Sequence, residues 1–183
     1  LRAATFGADL DWKDRDFLAA VNELANVVGN CLNRTIRMVG RYRGSILPAA
    51  SGPLTDIDRA LLEKTSGLAG AVDDAYARLA LQECCLLPLE LARAANGYID
   101  ATAPFSLAKD PAQAGRLDSV LNLSAQAIAR ALVLLLPVMP RKATDGLAQL
   151  GIDPAGKGLS DLLADLPPGT RLAEGTPLFP RPQ

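Results

Sequence analysis

Leu24-Ala25-Asn26-Val27-Val28-Gly29-Asn30-Cys31-Leu32-Asn33-Arg34, with the residues on either side of it, decides how this chain folds. Phe17, Val21, Leu24, Val28, Cys31, Thr35 and Val39 follow one another at intervals of 4, 3, 4, 3, 4 and 4. That spacing keeps every one of them on a single face of an α-helix and predicts one continuous helix from Lys13 to Arg43 with a buried seam. At about 100° per residue, Asn26, Asn30, Arg34, Arg37 and Arg41 fall within a sector of roughly 80° on the opposite side. Asn is a poor helix former because its amide competes for backbone hydrogen bonds, so this stripe adds nothing to helix stability. Such a stripe is ordinarily a solvated surface. Its chemistry also suits base edges, since Asn offers a paired donor and acceptor and Arg a planar fork that stacks on rings.

Outward from this segment the helical pattern repeats. Arg43-Gly44 and the stretch Pro48-Ala49-Ala50-Ser51-Gly52-Pro53 interrupt it. Thr55 followed by Asp58 reads as a helix start, with Ile57, Leu61, Leu62, Leu68, Val72 and Tyr76 as the inward stripe. A third helix is predicted from Leu79 to Ala101, kinked at Pro88 and ended by Ala103-Pro104. A fourth takes Leu117, Val120, Leu121, Ala125, Ile128, Leu132 and Leu135 inward before Pro137, and a fifth runs from Pro140 to Leu150. The fold expected is therefore all-α: a bundle of about five helices followed by an irregular C-terminal tail. Residues 1–12 are expected to be a connector, 13–150 the bundle, and 151–183 a tail packed back on it, with a short helix at Ser160 to Leu166.

Composition narrows the chemistry. The 183 residues are 49% hydrophobic, carry a net charge of -1 and include no histidine. Ser-His-Asp, Cys-His and HExxH chemistries are excluded, and no residue is left with a natural pKa near neutrality for acid–base work. With near-zero net charge, any nucleic-acid site must be a local patch. Cys31 and the adjacent pair Cys84 and Cys85 have neither zinc spacing nor an even count, so they are expected to be packing residues with reduced thiols. The apolar run from Ala131 to Pro140 is half the length of a membrane span and is expected in the core. The start at Leu1 and the lack of an apolar signal region predict a piece of a longer cytoplasmic polypeptide.

Two strings are more specific than any composition. Leu24 to Arg34 resembles the LANxxGNxxxR signature of the anticodon-binding domain of the methionyl-tRNA synthetases, which belong to the class I aminoacyl-tRNA synthetases. Tyr98-Ile99-Asp100-Ala101-Thr102-Ala103-Pro104-Phe105-Ser106-Leu107-Ala108-Lys109-Asp110 is similar to the YIDxxAPWxLAKD segment of that family. Thr5-Phe6-Gly7 with Asp9, and Gly169-Thr170 with Pro177-Leu178-Phe179-Pro180-Arg181, resemble the segments at either end of the same domain.

The resemblance implies a module that reads the CAU anticodon of tRNA(Met) on behalf of a catalytic domain that uses ATP and methionine. The catalytic HIGH and KMSKS strings are not in this sequence, so it implies no aminoacylation and no cofactor for this piece alone. Its partners would be tRNA(Met) and the catalytic domain, with no membrane and no DNA. It puts Asn30 and Arg34 on the reading face and Phe105 where the family usually has a base-stacking tryptophan; the single ring has less area and no N–H donor. Arg37, Arg41, Arg43 and Lys109 are candidates for the RNA backbone by position. Tyr98 is expected to be structural. Two other functions fit the same helices: the equivalent domain of a sister class I synthetase for Cys, Leu, Ile or Val, and a helical protein-interaction module.

Overall fold

In the computed structural model, residues 7–9 and 13–179 are described. Most of the expected connector, with Thr5-Phe6, and the closing Pro180-Arg181 lie outside the described residues. Helix α1 (Asp14–Leu24) passes through a π-helical turn (Ala25–Gly29) into α2 (Asn30–Arg43), which ends on Gly44 in the left-handed conformation at φ 57°. The rod is continuous, because Leu24 and Asn30 both keep right-handed helical angles. The Asn30 N–H reaches back to the Ala25 carbonyl, five residues away, and this widened turn rotates α1 relative to α2.

The seam read from the sequence is buried in α2 and not in α1. Val28, Cys31, Thr35 and Val39 are buried as expected, joined by Leu32 and Ile36, but Phe17 is 51% exposed and Val21 and Leu24 are only half-buried. Helix α1 buries none of its residues on any face, so Phe17 is exposed because this part of the rod has little to pack against, which spacing within one helix does not reveal.

Helix α3 (Asp56–Ala77) starts after Thr55, whose N–H and hydroxyl both donate to the Asp58 carboxylate at 2.6 and 2.7 Å. Its inward stripe is Asp58, Leu61, Thr65, Leu68, Val72 and Ala75, whereas Ile57 is exposed. Helix α4 (Leu81–Thr102) contains Pro88, buried within it, and begins after Leu79, which has a positive φ of 56°. The short α5 (Pro104–Leu107) and a 3-10 turn (Pro111–Gln113) lead into α6 (Ala114–Leu135).

Helix α6 is the centre of the molecule, packed against α2, α3, α4 and α7 (Pro140–Gln149). Leu121, Ile128, Leu132 and Leu135 are all at most 2% exposed, and each contributes roughly 1.5–3 kcal/mol by leaving water. The helix is long and apolar enough to cross a membrane, but burial within the bundle accounts for that character. Gly52 lets the chain after α2 cross α6 at the backbone level: a Cβ there would stand 2.9 Å from the Gly115 carbonyl oxygen.

The chain beyond α7 runs over the bundle, with one helical turn, α8 (Leu159–Leu162). The fold is all-α, with no strand among the described residues beyond an isolated antiparallel bridge between Ile46 and Arg171. Around that bridge, Leu47 and Leu172 donate to the carbonyls of Thr170 and Ser45, and Gly169 donates to that of Leu47. Gln126 exchanges two hydrogen bonds with the Leu166 backbone, and Leu166, Leu172 and Leu178 are buried in the core.

Candidate nucleic-acid interface

The face of α2 read as an Asn/Arg stripe is open: Asn26, Asn30, Arg37 and Arg41 are exposed and Arg34 is half-buried. Beside it runs α4, which presents Asn96 and Asp100, four residues apart, to Asn30 and Arg34, also four residues apart. Asn30 Nδ2 donates to Asn96 Oδ1 at 3.3 Å, and Arg34 Nη1 reaches the same oxygen at 3.5 Å. Arg34 Nη2 pairs with Asp100 Oδ1 at 2.5 Å. Asn96 is itself fixed, because its Nδ2 donates to the carbonyls of Val27, in the π-helical turn, and Ala92, at 2.9 and 3.1 Å.

This network orients without sealing. The Arg34 and Asp100 side chains retain 31% and 68% of their exposure, and a pair this wet holds its partners by at most about 1 kcal/mol. Arg34 can thus exchange Asp100 for an incoming acceptor at little cost. Beneath it, burial pushes the Cys31 thiol up to about 12, against the opposing influence of Arg34 and Thr35, so this sulfur is an inert packing group.

Phe105 sits just beyond the end of α4 and is 61% exposed. The turn that delivers it is strained: Ala103 takes a left-handed conformation at φ 45°, ψ 59°, and its N–H still closes on the Ile99 carbonyl at 3.2 Å. Pro104 excludes the right-handed helical angles for the residue before it, as expected, but Ala103 goes to the left-handed region and not to the extended one usual there. Pro104 is buried as the first residue of α5, leaving the Phe105 ring in solvent.

The end of α4 is held from below by a buried carboxylate. Asp58 is fully buried; its Oδ1 accepts from the Tyr98 hydroxyl at 2.5 Å and its Oδ2 from Arg116 at 2.7 Å, in addition to Thr55. Burial alone would raise its pKa, but donation from Tyr98, the Thr55 backbone, Arg116 and the Thr55 hydroxyl overrides this and brings it down to about 2. Burial, with the Asp58 charge beside it, pushes the Tyr98 hydroxyl the other way. Tyr98 is 3% exposed and clamps α4 to α3.

The backbone candidates divide. Arg37, Arg41 and Lys109 are exposed, and the Arg41 guanidinium lies 5.6 Å from the Tyr42 ring centroid. Arg43 is half-buried: its guanidinium pairs with Asp118 at 2.5 Å and donates to the Tyr42 and Ala114 carbonyls, fastening α2 to α6. Asn96 and Asp100 were missed as partners of Asn30 and Arg34. Their signal was available: an Asn inside a helix, where propensity disfavours it, four residues before the Asp of the second string.

No family model matches the chain. It is 36% identical over 184 residues to the methionine–tRNA ligase of Deinococcus radiodurans, a match that covers 100% of this chain. With that of Lactiplantibacillus plantarum it shares 38% identity over 186 residues and 99% of its length. In both cases the match spans 27% of the relative. The free-state crystal structure of Mycobacterium tuberculosis methionyl-tRNA synthetase superposes with a TM-score of 0.93 at 30% identity, covering 100% of this chain and 37% of that one. Its complex with methionyl-adenylate gives 0.92 over 98% of this chain. In sequence and in fold, along its whole length, the chain is similar to one segment of the methionyl-tRNA synthetases.

Proposed function

We propose that this chain is the tRNA-recognition module of a methionine–tRNA ligase, reading the CAU anticodon of tRNA(Met) in the cytoplasm. It would serve a catalytic domain that attaches methionine with ATP. The observation that carries the reading is the aligned pair Asn30 and Arg34, oriented by Asn96 and Asp100, on an open face flanked by an exposed aromatic ring at Phe105. An anticodon loop presents unstacked bases whose Watson–Crick edges and ring faces are free, and amides, a guanidinium and one ring meet both needs. A broad positive surface is not required, which agrees with the net charge of -1. Arg37, Arg41 and Lys109 would contact the phosphates.

The test is a filter-binding titration of transcribed initiator tRNA against the same tRNA with an exchanged anticodon. The reading expects binding that is lost with the exchange. Equal binding of both removes it, and no binding of either favours a protein-docking role for the stripe.

A further inference from the structure

On the other flank of Asn30 from α4 lies a cleft of about 640 Å³ that the function above does not use. Its floor is the π-helical turn and the start of α2, with Asn26, Gly29, Asn30 and Asn33, and its far wall is the C-terminal segment Pro177, Leu178 and Phe179. Asn30 is therefore a ridge, with the Asn96–Arg34–Asp100 network on one side and this trough on the other.

We propose that the cleft is a second base pocket, taking one unstacked nucleobase of the bound RNA other than the base that stacks on Phe105. Three properties select a base. The polar lining consists of the carboxamides of Asn26, Asn30 and Asn33, neutral groups that suit the edge of a neutral heterocycle even with Asn30 Nδ2 donating to Asn96 and Asn33 Oδ1 buried. Among the described residues no charged side chain lines the cleft. The apolar wall includes the Phe179 ring, which offers a stacking surface to any base.

Two further observations show that the trough has a set shape. A Cβ on Gly29 would stand 3.2 Å from Phe179 Cδ2, so the ring lies directly against the π-helical turn and only glycine admits it without displacement. Asn33 Oδ1 is buried without a hydrogen-bond partner, beside Gly175, where a Cβ would come within 3.0 Å of it. The Asn33 carboxamide is thereby wedged against Gly175, which fixes the side of the cleft it forms.

The inference rests on the RNA-reading function, and the experiment separates the two. An RNA hairpin carrying a CAU loop is made with 2-aminopurine at each loop position in turn, and its fluorescence is followed as the full 183-residue chain is added. The expected result is one position that is quenched on binding and regains its fluorescence with Asn33→Ala or Phe179→Leu but not with Phe105→Ala. Phe105→Ala should release a different position. Each cleft variant should weaken hairpin binding 3- to 10-fold. Asn33→Ala removes an unpaired acceptor and keeps the fold, which circular dichroism checks, so the result does not hinge on Phe179→Leu folding. Hairpin binding in which neither cleft variant changes any position overturns the second pocket and leaves the anticodon-reading function standing. Absence of hairpin binding overturns both.

Discussion

At the scale of single residues, Phe105 is the sharpest case, because an exposed ring contributes nothing to a core. Phe105→Ala should therefore leave the melting temperature unchanged and weaken tRNA binding by about 1–3 kcal/mol, read as a shift in the filter-binding midpoint. Its neighbour Ala103 carries strain, since a left-handed alanine costs roughly 1–2 kcal/mol that glycine does not incur. Ala103→Gly should raise stability by about 1 kcal/mol, the residual after glycine's greater entropy loss, measured by thermal denaturation. If it also loosens the delivery of Phe105, tRNA affinity falls while the melting temperature rises, and the two readouts separate strain that serves function from strain that is incidental.

At the scale of elements, the Asp58 cluster joins the start of α3, the end of α4 and the start of α6 through Thr55, Tyr98 and Arg116. Its folded pKa of about 2 lies below the ordinary 3.8, so the folded state holds the carboxylate ionised more strongly than the unfolded chain does. The stabilisation is thus complete above about pH 4 and is lost as pH falls from there through 2, amounting to about 2 kcal/mol. Tyr98→Phe removes one donor and should move the acid-unfolding midpoint toward pH 4, measured by circular dichroism across an acid titration. A midpoint that does not move would mean that Arg116 and Thr55 suffice to hold the charge. Since Asn96, Asp100 and Phe105 all lie at or near this end of α4, the same variant tests whether the reading face depends on the clamp.

At the scale of the whole molecule, the proposed reading face and the core share α2 yet should fail independently. Leu132, fully buried against Gly146 of α7, should cost about 2–5 kcal/mol as Leu132→Ala, while Asn30→Ala and Arg34→Ala leave the denaturation curve in place and lose RNA. Urea denaturation and filter binding on the same samples give both axes, and parallel losses would mean that the face is part of the scaffold. The helices, their approximate limits, the central apolar helix and the polar stripe from Asn26 to Arg41 were legible in the sequence, because helical periodicity is a local property that each segment carries by itself. Pairing was not. Helix α1 finds little to pack against and leaves Phe17 exposed; Arg43 turns to Asp118; and Asn30 meets Asn96 and Phe179's cleft only because segments some 66 and 149 positions away arrive beside it. Sequence spacing fixes which residues share a face of one helix; which faces meet a partner depends on how the helices pack around α6, which no single segment carries.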